Sequence, residues 1–220
     1  MRQLARVVIA LLLASCGGAS PAASSPMPAT PSPSPTVAAV ASASATYAPK
    51  AEGFASNKLV EVKRQLAVSA LGTIWIVAGA SSGVGVSATV SEKEAFTASY
   101  QVPVDRQAAE LLHAIYATPD LPPLPAGLYG ESLTLVTVQP GGRSAAHMHS
   151  GIESVLVLEG NVLVRSAGHA PANLTKGQGF YILPNTPIQL INSGDTVART
   201  LVYSVSPDGA PFSTPLDTAP

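Results

Sequence analysis

Between Lys58 and Ser206 most apolar positions fall in short, β-branched runs broken by Gly, Pro or Asn: TIWIVA, VGVSATV, SLTLVTV, SVLVLEG, NVLVRS, GFYILP, IQLIN and ARTLVYSV. Runs of this length and composition predict strands. DRQAAELLHAIYA, Asp105 to Ala117, is different: Ala108, Leu111, Leu112, Ile115 and Tyr116 recur at helical spacing behind Asp105, a residue type that caps helix N-termini. The TPDLPPLP that follows reads as a rigid connector. Many short strands with one helix predict a mostly β fold, an antiparallel sandwich or barrel. Trp75, inside TIWIVA, reads as core. The stretch from Leu59 to Tyr100 fits either a small separate β unit or extra strands laid against the main barrel.

The two ends of the 220-residue chain lack such patterning, so the folded part is shorter than the count suggests. Arg2 and Arg6 precede an apolar run from Val7 to Leu13 and then small residues, the layout of a secretory signal over 1–15 and too short a run to remain as a membrane span. From residue 16 to 50 the chain is almost all Ala, Ser, Pro and Thr, with nothing to bury, and reads as a tether. The last stretch, 207–220, is again proline-rich and reads as a loose tail. That leaves a β-rich extension over 51–129 and a barrel over 130–206. A net charge of -1 and 11% charged residues, without a Lys or Arg cluster, exclude nucleic acid as a partner.

Candidate chemistry concentrates in GGRSAAHMHSGIESVLVLEG, Gly141 to Gly160. If SAAHMHS is extended, His147 and His149, two apart, project from the same face. Two such histidines are often no more than core or rim residues of a small barrel. Glu153 adds a carboxylate that can close on the same point once SGI turns the chain, giving a facial set with open positions that suits ferrous iron and related divalent ions.

The whole stretch resembles the first motif of the cupin superfamily: Gly141, five residues, His147, one residue, His149, three residues, Glu153, six residues, Gly160. The resemblance implies a β-barrel of jelly-roll type, a small-molecule ligand and a homodimer through barrel edges as one allowed assembly. A second cupin motif is matched in length by GQGFYILPNTPIQLIN, Gly177 to Asn192, with departures. Its proline falls at Pro184 rather than at Leu183, and its inner glycine is Asn185, which can also take a left-handed turn. The histidine that usually completes the metal shell aligns with Ile188, which cannot ligate; registering on Pro184 puts Gln189 there instead, a weak ligand on the opposite face. The resemblance thus implies a divalent transition metal, Fe, Mn, Zn or Ni, on His147, His149 and Glu153 with Gln189 as an optional fourth ligand, or a site that has decayed into a polar pocket.

Leu13, Ala14, Ser15 and Cys16 resemble the lipobox of bacterial lipoproteins, which implies lipidation of Cys16 and an extracytoplasmic protein anchored to the cell membrane or the outer membrane. Cys16 is the only cysteine, so no intramolecular disulfide forms.

GASSG, Gly79 to Gly83, has the spelling of a hydrolase nucleophile elbow, with Ser81 as nucleophile and Asp105 and His113 downstream. The strand-like VGVSATV that follows stands where an elbow needs a helix, so a hairpin loop is expected. His113 is expected on the helix and His169 in a loop. Taken together, the sequence predicts a lipid-anchored cupin-domain protein that binds a small molecule, with a metal-dependent enzyme, of dioxygenase or isomerase kind, as the alternative and a serine hydrolase as a remote one.

Overall fold

The computed structural model describes residues 50–217 except 82–84, 103, 105 and 112. The leader, Cys16 and the tether up to residue 49 lie outside the described residues, as does Asp105. In chain order the elements are β1 (Glu52–Leu66), β2 (Thr73–Ala78), β3 (Val86–Ser91), β4 (Glu94–Gln101), α1 (Arg106–Leu111), β5 (Tyr116–Ala117), β6 (Gly127–Arg143), β7 (His147–Met148), β8 (Ile152–Glu159), β9 (Asn161–Ser166), β10 (Ala172–Thr175), β11 (Gly179–Ile182), β12 (Ile188–Asn192), β13 (Ala198–Pro207) and β14 (Thr214–Pro215).

Two antiparallel sheets hold these strands. The larger runs β10-β9-β12-β6-β13-β8-β11, with β1 laid along β6, and with β7 between β12 and β14. It curls into a nearly closed barrel, the mostly β architecture that the strand pattern predicts. The smaller sheet runs β3-β4-β2-β5. β8 and β13 are buried along nearly their whole length because each is covered on both faces. Side chains alternate along a strand, so Val155, Val157 and Val202 point into the barrel with Val136, Val162 and Ile188. Leu156, Leu201, Tyr203 and Val205 point the other way and pack against Ile74, Ile76, Phe96 and Tyr100 of the smaller sheet. Tyr116 of β5 completes the seam: a Cβ on Gly179 would lie 2.4 Å from its ring, so only glycine admits that approach. Burial pushes the Tyr116 phenol up to about 12.

Two expectations are corrected, and one alternative left open is decided. The helix does not reach Ala117: α1 ends at Leu111, and His113 takes a left-handed turn with φ 52°. The Ile115 N–H then donates to the Ile76 carbonyl, and Tyr116 and Ala117 pair with β2, so an open sheet edge takes the backbone that helical spacing assigned to a helix. Of the two readings open for Leu59 to Tyr100, the structure has extra strands laid against the barrel: β1 pairs with β6 over nearly its whole length. The tail is not loose up to residue 217: β14 pairs with β7, and the Leu216 N–H donates to the Ala146 carbonyl. Trp75 is fully buried as expected, against Val77 and Ala114 on the face of the small sheet turned away from the barrel.

Candidate functional site

His147, His149 and Glu153 come together at one end of the barrel. His147 opens from β7, whose backbone is held between Ile188 of β12 and Pro215 of β14. The backbone carbonyl of His149 accepts the Asn185 N–H at 2.7 Å, so the second motif anchors the first. Asn185 does this from a left-handed conformation, φ 58°, in the place of the glycine usual there. Glu153 lies at the start of β8 between Ile182 of β11 and Ser204 of β13, and its side chain is 4% exposed.

The rings meet edge to face, centroids 4.7 Å apart. His147 Nδ1–H donates to the Ala145 carbonyl at 2.7 Å, and His149 Nδ1–H to the Phe212 carbonyl at 2.5 Å. A carbonyl can only accept, so both rings carry a proton on Nδ1, and in the neutral form both Nε2 atoms carry lone pairs. His149 Nε2 is buried 2.8 Å from Glu153 Oε2, the distance of an ion pair. A lone pair that close to a buried carboxylate is repulsive unless a proton or a cation lies between them. The protonation tendencies agree. Burial alone lowers the pKa of His149, but the Glu153 charge and contact and the Phe212 carbonyl outweigh it, and the net shift is upward. Burial dominates at His147, helped by the positive His149, and holds its pKa below the usual value.

The three side chains face a cavity of about 240 Å³ lined by apolar Phe54, Val136, Leu190, Val202, Phe212 and Pro215 and by the hydroxyls of Ser56, Thr134, Ser144 and Ser213. No Lys or Arg is among its lining residues. A larger hollow of about 410 Å³ at the β3–β4 turn holds no histidine. Two imidazoles anchored through Nδ1 and a carboxylate are donor types that a divalent transition metal takes, and His149 Nε2 already faces Glu153 Oε2 at 2.8 Å. Among the described residues, no group of three or more His, Cys, Asp or Glu side chains is arranged to hold a metal ion as it stands.

Gln189 does not join this group. It is not among the cavity-lining residues, and its Nε2 donates to the Ser144 carbonyl at 2.9 Å. Ile188, fully buried, belongs to the barrel core. The pleat sends one of two neighbours inward and the other outward, and here the inward one cannot ligate.

Ser81 is no nucleophile elbow. Its N–H donates to Thr97 Oγ1 and its carbonyl accepts from Ser87 Oγ, which ties it into the loop between β2 and β3. A strand follows, and His113 stands exposed in the turn after α1. His169 is likewise an exposed turn residue, its ring edge-on to Phe180.

Sequence reasoning missed the walls contributed by Phe54 and Ser56 of β1 and by Phe212, Ser213 and Pro215 after β13. An alternation that begins in a polar stretch and a proline-rich end carries little periodic signal, so only the pairing partners reveal them.

An antiparallel barrel with a His-x-His and a carboxylate facing its cavity defines the class. Residues 134–204 match the family model of the Cupin domain, so the chain carries a cupin domain over that span. No curated protein matches the chain. Among solved structures, an oxalate oxidase in complex with the substrate analogue glycolate is 26% identical over 34% of this chain and 42% of its own, with a TM-score of 0.33. The polyketide cyclase RemF from Streptomyces resistomycificus is 20% identical over 40% of this chain and 62% of its own, TM-score 0.36. A cupin-like protein from Thermotoga maritima is 19% identical over 40% and 65%, TM-score 0.36. The match thus spans less than half of the oxalate oxidase chain and under two thirds of the other two.

Proposed function

We propose that this chain is an extracytoplasmic, lipid-anchored protein whose cupin domain binds a small molecule in the barrel cavity, through a divalent transition metal held by His147, His149 and Glu153. The observation that carries the reading is that His147, His149 and Glu153 face one cavity, with His149 Nε2 buried 2.8 Å from the Glu153 carboxylate. A bound ion would supply a Lewis-acidic centre for an oxygen or nitrogen of the ligand. The chain's own residues do the rest. Backbone carbonyls of Ala145 and Phe212 hold the two rings in orientation, Glu153 supplies the negative charge, and Val136, Leu190 and Val202 exclude water from the ligand's apolar part. Thr134 offers a hydroxyl to its polar part.

The alternative is a metal-dependent enzyme. With Gln189 turned away, the donor set has three members, which leaves coordination positions for both substrate and a co-reactant. The binding reading is preferred because no general base beyond the three donors lines the cavity among the described residues.

Calorimetric titration of metal-free protein with Zn²⁺ tests the site: one equivalent should bind, and more weakly as pH falls, because the ion competes with the proton that Glu153 favours on His149. If Zn²⁺ does not bind, the metal is removed from the reading. Anchoring is tested separately by Cys16→Ser, which should lose lipid labelling and membrane association; a variant that still sediments with membranes contradicts the anchor.

A further inference from the structure

The chain after β13 doubles back over the site. The Asp208 N–H donates to the Leu128 carbonyl at 2.9 Å, Gly209 takes φ 79°, and the Ala210 N–H closes the turn on Pro207 at 3.1 Å. Four contacts then tie the returning segment to the histidine strand. Ser150 Oγ donates to the Pro211 carbonyl at 3.3 Å, His149 Nδ1–H donates to the Phe212 carbonyl at 2.5 Å, Thr214 and Pro215 pair with Met148 and His147, and the Leu216 N–H donates to Ala146 at 3.0 Å. The Phe212 ring stands edge-on to His149, centroids 5.0 Å apart. Residues 211–215 are nevertheless exposed, so little apolar burial holds the segment in place, and its hydrogen bonds to the site are its main attachment.

We infer that residues 208–216 are a positioning strap: the main-chain carbonyl of Phe212 holds His149 by its Nδ1–H and so aims Nε2 at the cavity beside Glu153. A histidine whose second nitrogen is not held divides its population between two tautomers and several ring orientations, and only one of these presents Nε2 to the cavity. The strap also closes one wall of the cavity with Phe212, Ser213 and Pro215, so the site is incomplete without it. The part of this inference that concerns metal affinity rests on the function proposed above; the part that concerns the tautomer does not.

The experiment compares four metal-free proteins: the full chain, a chain stopped after Pro207, Leu216→Pro and Phe212→Ala. The stop keeps all of β13, and Leu216→Pro removes the N–H that donates to Ala146 without touching a cavity-lining residue. Circular dichroism checks that the barrel persists. At a pH where the ring is neutral, 15N shifts of His149 should show Nδ1 protonated in the full chain and in Phe212→Ala, which keeps the carbonyl, and a tautomer mixture in the other two. Zn²⁺ affinity should fall about ten- to a hundredfold in the stopped chain and in Leu216→Pro. If Leu216→Pro or the stopped chain keeps both the 15N pattern and the Zn²⁺ affinity of the full chain, the strap positions nothing and the inference is overturned. If the full chain binds no Zn²⁺ but the tautomer still changes on strap removal, the strap stands and the metal reading falls.

Discussion

Gly151 passes so close to β13 that a Cβ on it would lie 1.9 Å from the carbonyl oxygen of Val205. That contact lets the chain turn between His149 and Glu153 and bring both into the barrel. Gly151→Ala should therefore force the backbone apart, destabilise the protein by about 1–3 kcal/mol or more, and weaken Zn²⁺ binding. Chemical denaturation with a parallel Zn²⁺ titration measures both. An alanine variant of unchanged midpoint would show that the turn is not held by that contact.

The two histidines should titrate on opposite sides of their ordinary value. His149 has a raised folded pKa, so its contribution to stability is present below about 6.5 and is lost as pH rises through the folded value. His147 has a lowered one, so its contribution is present above about 6.5 and is lost as pH falls through the folded value. The metal-free site is thus most favourable with one proton, near neutral pH. Ring-resonance titration by NMR should place the His149 midpoint above that of His147; the reverse order would break the proposed link between His149 and Glu153.

A buried ionic network joins the barrel to the small sheet. Glu131, its side chain 1% exposed, pairs with Arg64 and accepts a 2.7 Å hydrogen bond from the Tyr203 hydroxyl, while Arg64 also donates to the Tyr100 carbonyl. Tyr203→Phe removes a donor to a buried charge and should cost about 1.5–3 kcal/mol. Urea unfolding at pH 7 measures it, and a cost near zero would mean that Arg64 alone satisfies the carboxylate.

Burial holds the Glu131 pKa above the ordinary carboxylate value, against the pull of Arg64 and Tyr203. The folded state therefore binds a proton more tightly than the unfolded one, and stability from this group is present below about pH 4.5 and lost as pH rises through the folded value. The stability of the native protein relative to Glu131→Gln should decline between pH 4 and pH 7. A difference that grows with pH would place the folded pKa below the unfolded one.

The strands buried on at least one face were legible. TIWIVA, NVLVRS and IQLIN are β2, β9 and β12 to the residue, because β-branched runs ending at Gly, Asn or Ser have little else to form. Strands whose partners dictate them were not. β4 is EAFTASYQ, small and polar, and takes its shape from β2 and β3 on either side. β1 keeps most of its residues exposed or half-buried, so no apolar stripe announces it. At the site, spacing placed His147, His149 and Glu153 in one motif and recognised Asn185 as a left-handed turn. Spacing gave no hint that Phe212, 63 residues beyond His149, returns to hold its ring.

Elemental analysis of protein purified without chelator tests the central claim most directly. The account predicts close to one equivalent of a transition metal, lost in His147→Ala while the barrel stays folded. Preparations from several metal-supplemented cultures that carry no metal, or a His147→Ala variant that keeps its full equivalent, would contradict it.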